Sequence, residues 1–391
     1  MSTQNISYKY RIYPKQKQIK RIFTMFNQAK EIHNELIALN VETYKSTGKG
    51  LIKFDYARHT SGRSKTINLH SQTIQNIADR VHKSFQNFFG RIKRKEKEKG
   101  FPRMKKYYKS ITYPQSGFKF LNDKHLFVSK IGNIPIVFHR IMKGNVKIMT
   151  VKRNRVGQWF VFFSNEIEII KVKHPSKEQV GIDVGLESFA TLSNRERIEN
   201  PRFLIRSEKR LKTFQRRLSR KKKGSSNRRK SKFRVARIHQ KIFNQRTDFL
   251  HQQSVMIVKK FSIIAVEQLN ISGMVRNHRL AKHINDASWG SFLQMLSYKA
   301  VMCGGEIVEN TKTRGSSKRC SHCGTEMEMP LSKRTFNCLN CGLSIHRDLN
   351  ASLNMLRDTV GLTEINACGD NVRPSVKKAV VVEAGTKYES A

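Results

Sequence analysis

Apolar and polar residues alternate at the start of the chain, where Ile6, Tyr8, Tyr10 and Ile12 are separated by Ser7, Lys9 and Arg11. That spacing predicts a half-buried strand with a basic outer face, ended by Pro14. From Lys15 the period changes. Ile19, Ile22, Phe23, Phe26, Ala29, Ile32 and Leu36 share one helical face, and so do Ile74, Ile77, Val81, Phe85, Phe88 and Ile92. Strand signals return after Gly100-Phe-Pro102, at Leu126 to Ser129, Ile134 to Phe138, Val146 to Val151 and Trp159 to Phe163, with turn residues such as Gly132-Asn133 and Gly157 between them. The first strand and these later ones are expected to form one small closed barrel, with the helices of 15–102 inserted between them.

Beyond Pro175 strands and helices alternate. Val180 to Val184 and Phe189 to Leu192 read as strands, and Ile263 to Val266 as a central strand buried on both faces. Between them, 202–246 is almost without acid. Leu211, Phe214, Leu218, Phe233, Ile238 and Ile242 nevertheless mark an apolar stripe on two helices around Gly224-Ser-Ser-Asn227. This predicts a packed hairpin that presents Arg217, Arg220, Lys221, Lys222 and Lys223 to solvent or phosphate. Trp289 to Met302 is a further helix, stopped by Gly304-Gly305 before a strand from Glu306 to Val308.

Charge narrows the partners. The 391 residues carry 76 Lys and Arg against 29 Asp and Glu, a net charge of +47. Such a field repels itself unless neutralised, and nucleic-acid phosphate is the partner that neutralises it. An apolar run long enough for a membrane is absent, as is a signal-peptide core in Met1 to Ser7, so a cytoplasmic, reducing setting at the nucleoid is expected. Within the basic segment Arg103 to Lys109, Lys105 and Lys106 are candidates for backbone contact. Tyr107 and Tyr108, and Tyr113 just beyond, are candidates for stacking on bases. On the second helical face, the amides of Gln72 and Gln75 are candidates for adenine edges.

Six cysteines do not read as a disulfide framework in that setting. Cys320-Ser-His-Cys323 and Cys338-Leu-Asn-Cys341 form two knuckles, each followed by glycine, Gly324 and Gly342. Four thiolates at this spacing suit one structural zinc, with the glycines allowing the turn that aims backbone amides at sulfur. Cys303 and Cys368 have no partner at ligand spacing.

In so basic a chain, acidic residues set in apolar or Gly-flanked frames call for their own explanation. Asp183 lies in Val180-Gly-Ile-Asp-Val-Gly185, Glu267 closes Ile263-Ile-Ala-Val-Glu267, and Asp348 opens a helix at His346-Arg-Asp-Leu-Asn-Ala351, where Asn350 and Ala351 are small enough for close packing. Carboxylates at the ends of elements of one sheet make a hard-metal site suited to two Mg²⁺ or Mn²⁺ and to phosphodiester hydrolysis. No Ser/His/Asp triad or Walker-type loop competes with it.

In this order, Gly181-Ile-Asp183-Val-Gly185, Val266-Glu267, Asp286-Ala-Ser-Trp289-Gly290, the two Cys-x-x-Cys-Gly knuckles and Arg347-Asp348-Leu-Asn350-Ala351 resemble the TnpB (OrfB) family, insertion-sequence proteins related to type V CRISPR effectors. His346 departs from the aspartate that many relatives carry there. The resemblance implies an α/β multidomain protein. A wedge barrel would comprise 1–14 and 103–175, with a helical recognition insertion at 15–102. An RNase H-like RuvC core would comprise 176–312 and 344–368, with a zinc ribbon at 313–343 that binds target nucleic acid and a disordered tail at 369–391. It implies catalysis by Asp183, Glu267 and Asp348, a guide RNA from the transposon end with one protein per RNA, and cleavage of double-stranded target DNA beside a short adjacent motif. Two other readings stay open: an RNA-guided DNA-binding repressor without cleavage, and a DNA-strand-joining transposase, since one fold hosts several chemistries.

Overall fold

The alternation at Ile6 to Ile12 becomes β1 (Thr3–Ile12), which buries Tyr8, Tyr10 and Ile12 and turns Lys9 and Arg11 outward. In the computed structural model residues 3–168, 172–310, 317–330 and 333–360 are described. They fall into two units that divide after Glu168. In the first, β1 is followed by α1 (Gln16–Thr47), α2 (Lys53–Thr60) and α3 (Ser71–Lys93), then by β2 (Ser110–Pro114), β3 (Phe118–Asn122), β4 (His125–Val128), β5 (Gly132–Val137), β6 (Asn145–Arg153) and β7 (Trp159–Glu168). The seven strands pair antiparallel in the order β2-β6-β7-β1-β5-β4-β3. One apolar cluster joins the buried sheet face to α1 and α3 through Ile22, Met25, Phe26, Ile74, Ile77 and Val81. The helical insertion therefore shares the core of the sheet that it interrupts.

The strands curl into one sheet, but no hydrogen-bonded ladder closes the expected barrel. Its end strands β2 and β3 are joined only by the turn at Gln115-Ser116-Gly117, and no ladder forms between them. Phe118 to Asn122, which carries Lys119 and Asn122 among its aromatics, forms a strand that the alternation rule passes over.

The second unit contains β8 (Gln179–Val184), β9 (Ser188–Leu192), β10 (Arg197–Glu199), α4 (Phe203–Ser219), α5 (Ser226–Lys260), β11 (Ile263–Glu267), α6 (Ile271–Met274), α7 (His278–Ala287), α8 (Trp289–Met302), β12 (Glu306–Asn310), β13 (Thr335–Asn337), β14 (Ser344–His346) and α9 (Arg347–Val360). Five strands form a mixed sheet in the order β10-β9-β8-β11-β12. β8, β11 and β12 run parallel, β9 pairs antiparallel with β8, and β10 pairs antiparallel with β9 and so runs with the parallel set. Val180, Ile182, Ile264 and Val266 point to one face and pack with Leu250, Ile257, Phe292 and Leu296 of α5 and α8. The alternate residues Gly181, Asp183, Ala265 and Glu267 therefore belong to the opposite face, because side chains in a strand alternate.

The basic hairpin is α4 and α5, held by Leu211, Ile238 and Ile242, with Phe214 and Val235 packed alongside. Asp286, within α7, fastens it. Its carboxylate accepts the Leu204 amide at 3.0 and 3.2 Å and the Arg246 guanidinium at 2.8 Å. The tail 369–391 and Cys368 lie outside the described residues. No described helix is long and apolar enough to cross a membrane.

Lys299 of α8 is buried, and its Nζ donates to the His251 carbonyl at 3.0 Å and to Ser254 Oγ at 2.7 Å. Burial pushes the ammonium from 10.5 down to about 8. Between those two values the unfolded chain holds a proton that the native chain has lost, so this group makes stability rise with pH there. Below the folded value both states are protonated, and the native state bears the full cost, about 3 kcal/mol. Lys299→Met is therefore expected to raise the melting temperature at pH 7, and its advantage over wild type should shrink as pH climbs toward 10.5. Thermal melts across that range would contradict the assignment if the gap stayed constant.

Candidate functional site

The face of the second sheet that carries Gly181, Asp183, Ala265 and Glu267 is covered by α9. Ala265 packs against Ala351 and Met355, with Leu356 beside them. Gly181 meets the helix backbone itself, since a Cβ there would lie 2.0 Å from the Ser352 carbonyl oxygen and 2.9 Å from the Leu356 nitrogen. Only a residue without a side chain permits that approach. Parallel pairing of Ile182 with Val266 sets Asp183 and Glu267 at matching positions on neighbouring strands, both near the carboxyl ends. Because α9 lies against the same face, its first turn brings Asp348 to that edge. Asp348 Oδ2 lies 3.9 Å from where a side chain on Gly185 would begin.

The three predicted carboxylates are thus brought to one place. Burial raises the Asp183 carboxyl well above the ordinary range, and the charges of Asp348 and Glu267 raise it further, with Arg347 opposing. Burial also raises Glu267. In a chain of +47, the charges of Asp348 and Glu267 act on Asp183 against only a smaller opposing effect of Arg347, so the site is short of positive charge. Oxygen donors of this kind suit a hard divalent cation. They converge less tightly than the cysteines. Among the described residues, the only group of three or more His, Cys, Asp or Glu whose ligand atoms all lie within 4.8 Å of one another is Cys320, Cys323, Cys338 and Cys341.

In that cluster Cys320 Sγ is 3.6 Å from Cys341 Sγ, and Cys323 Sγ is 3.5 Å from Cys338 Sγ. A tetrahedron with metal–sulfur bonds of about 2.3 Å has edges of about 3.8 Å, so the four sulfurs fit one tetrahedral ion. Gly324 and Gly342 take the left-handed backbone expected of them, with φ of 79° and 71°. The hydroxyl and amide of Thr325 hold the Cys323 thiol down to about 5. The Leu343 amide lowers the Cys341 thiol, but burial and the neighbouring cysteine sulfurs outweigh it and push the thiol up to about 12.

Asn350 does more than pack closely. It is fully buried, its Oδ1 accepts the Ser321 amide at 2.9 Å, and its Nδ2 donates to the Arg319 carbonyl at 2.7 Å. Asn354 Nδ2 donates to the same carbonyl at 2.6 Å, and the Arg319 side chain pairs with Asp358 of the same helix. Asp358 in turn accepts from Asn310, the last residue of β12, at 3.3 Å. The backbone on both sides of Cys320 is therefore bonded to the helix that carries Asp348. His346 Nδ1 accepts the Asp348 amide at 3.2 Å, so the residue that departs from the family pattern caps this helix. The sequence signal for Asn350 and Asn354 was their spacing of four on one face of α9, which places both at the same partner.

The residues proposed to touch nucleic acid divide. Arg217, Arg220, Lys221 and Lys106 are exposed, and Lys105 is half-buried. Tyr113 is a correction: it is fully buried and donates to the Ser129 carbonyl at 2.9 Å, so it offers no stacking face. Tyr108 is likewise buried, bonded at 2.9 Å to His33 Nδ1, whereas Tyr107 is exposed. Gln72 Oε1 accepts the Ser116 amide at 3.0 Å and holds the β2–β3 turn, while Gln75 is exposed at the groove between α2 and α3.

Comparison with known proteins relates the chain to one family. Residues 162–278 match the OrfB family of IS605-type elements, described as "Probable transposase", and 289–355 match the Cas12f1-like TNB domain. Residues 1–49 match a helix-turn-helix domain of the same family, although here β1 leads into a single uninterrupted helix. A "Putative RNA-guided DNA endonuclease" of Streptomyces pristinaespiralis is 31% identical, with 98% of this chain and 96% of that protein aligned. The "Putative RNA-guided DNA endonuclease InsQ" of Escherichia coli K12 is 30% identical over 78% and 77%. Among solved structures, the mini-RNA-guided endonuclease CRISPR-Cas_phi3 aligns over 92% of both chains at 10% identity with a TM-score of 0.47, a likeness too loose to argue from.

Gly181→Ala is expected to push α9 off β8 and to cost about 3 kcal/mol or more, at the upper end of overpacking penalties. A Gly181→Ala protein with an unchanged melting temperature would refute the close approach.

Proposed function

This chain belongs to the OrfB (TnpB) family of insertion-sequence proteins, and from that premise we propose that it is a transposon-associated, RNA-guided DNA endonuclease that cuts target DNA by metal-dependent phosphodiester hydrolysis. The observation that carries the reading is the convergence of Asp183, Glu267 and Asp348 on one edge of a sheet ordered β10-β9-β8-β11-β12, the arrangement expected of an RNase H-like RuvC core. Partners follow from the relatives, named as RNA-guided DNA endonucleases: a guide RNA, supplied by the transposon end, and a double-stranded DNA target.

Asp183, Glu267 and Asp348 are the residues that would hold two Mg²⁺ or Mn²⁺. Such a pair, when bound, activates a water on one side of the phosphodiester and stabilises the leaving 3′-oxygen on the other. The chain's own part is placement. β8 and β11 fix two carboxylates in register, and α9, pressed against Gly181, brings the third. The four cysteines would hold zinc as a structural ion, and Asn350 joins that ribbon to the nuclease helix. The exposed cations of α4 and α5 would grip nucleic-acid backbone without reading bases. Gln75, with Gln72 engaged in a turn, is the residue proposed to read the adjacent motif.

Replacing Asp183, Glu267 or Asp348 by Ala should each abolish cutting of a plasmid matched to the copurifying RNA, while RNA-guided binding persists. Double mutants should be no worse than single ones, because each removal disables the same metal pair. A single mutant that still linearises the plasmid in Mg²⁺ would contradict the shared centre. Wild type yielding joined strands instead of free cut ends would favour the transposase reading, and binding without cutting by wild type would favour the repressor.

Zinc should be present at one ion per chain by elemental analysis. Its removal with a chelator is expected to unfold the ribbon, because the binding energy of a structural ion is folding energy. Cys303→Ser should leave zinc content and melting temperature close to wild type, as it lies outside the cluster.

A further inference from the structure

In the first unit a concavity of about 360 Å³ is lined by Arg80, Lys83, Ser84 and Asn87 of α3 and by Arg103 and Lys105 of the segment that follows. The four α3 residues are spaced three, four and seven apart, so they share one helical face. Among the described residues, none of the four cations forms an ion pair with a carboxylate or a side-chain hydrogen bond. Their neighbours are instead the Tyr108 ring, with Lys105 Nζ 4.5 Å and the Arg80 guanidinium 5.9 Å from its centre. The wall is preorganised although 103–108 has no regular structure. Asn34 of α1 binds the Lys105 backbone in both directions, at 3.1 and 2.8 Å, and buried His33 is bonded to Tyr108 at 2.9 Å. Burial and the adjacent Lys105 hold His33 down to about 4, so it remains a neutral strut near pH 7.

A solvated basic face spreads its charges apart. Here separate segments are pinned so that like charges gather in a hollow, an arrangement that raises the free energy of the unliganded chain. Forked guanidinium and ammonium donors beside a hydroxyl and an amide suit a tetrahedral anion approached from several directions. We propose that this hollow, lined by Arg80, Lys83, Arg103 and Lys105, is a built site for a backbone phosphodiester of the bound nucleic acid. It deepens the nucleic-acid-binding part of the function proposed above and is independent of cleavage, so it can fail or hold whatever the carboxylates do.

The test compares the double variant Arg80→Gln/Lys105→Gln with the charge-matched control Lys17→Gln/Lys45→Gln, whose two lysines are exposed on α1 outside the hollow. Each protein is titrated with the RNA that copurifies with wild type and, separately, with a DNA duplex of arbitrary sequence. The hollow variant should bind at least about tenfold more weakly in one arm, with a salt slope shallower by about 1, and the control less than about twofold more weakly. Loss in the RNA arm assigns the phosphate to the guide, and loss in the DNA arm to the target. The RNA-free hollow variant should melt no lower than wild type, because removing crowded, uncompensated cations relieves repulsion. Equal losses in variant and control would overturn the site, as would a lowered melting temperature in the hollow variant, which would mark these residues as structural supports.

Discussion

The contact on which the rest of the second unit depends is that of α9 with the sheet at Gly181. A helix normally stands about 10 Å from a sheet because side chains intervene. Here the absence of a side chain at Gly181 and the short ones at Ala265, Ala351 and Ser352 let backbone meet backbone. That proximity turns three residues distant in sequence into one electrostatic site. Asp183 and Glu267 come from adjacent strands in register, and Asp348 comes from the first turn of a helix that can approach only where the sheet is bare.

The same helix is the anchor of the cysteine ribbon. Asn350 and Asn354 satisfy the backbone around Arg319 and Ser321, and Asp358 joins the Arg319 side chain to Asn310 at the end of β12. Buried amides with both ends bonded are costly to disturb, since a broken partner leaves an unsatisfied polar group. The ribbon backbone beside Cys320 is thus tied by hydrogen bonds to the helix whose first turn carries Asp348.

Charge is distributed along the same logic. At the sheet edge burial and the charges of Asp348 and Glu267 raise Asp183, while Arg217, Arg220 and Lys221 of the α4–α5 hairpin stay exposed and Lys212, Arg246 and Lys260 of the same hairpin pair with Glu208, Asp286 and Glu196. Paired charges are used where fixed geometry is required, as in the Asp286 clamp on Arg246 and on the amide that starts α4. A net charge of +47 repels itself, so a bound polyanion is expected to stabilise the chain by neutralising it.

Much of this was legible from residues alone, because the signals are local. Periods of two and 3.6 residues mark β1, α1, α3, α8 and α9, and a four-cysteine spacing with glycines closing each knuckle admits few geometries. The carboxylates stood out because their apolar frames contrast with the basic chain around them. Tertiary structure decided what local pattern cannot carry. Tyr113 follows a basic stretch as an interface tyrosine would, yet the fold turns it inward to Ser129, and Gln72 spends its amide oxygen on Ser116, a partner 44 residues away. Asn350 reads as a small packing residue until the ribbon backbone arrives beside it. Whether the curled sheet closes by hydrogen bonds depends on the register of its two end strands, which are neighbours in sequence yet form no ladder. Composition and periodicity report which face a residue prefers, but they do not report what another part of the chain will place against that face.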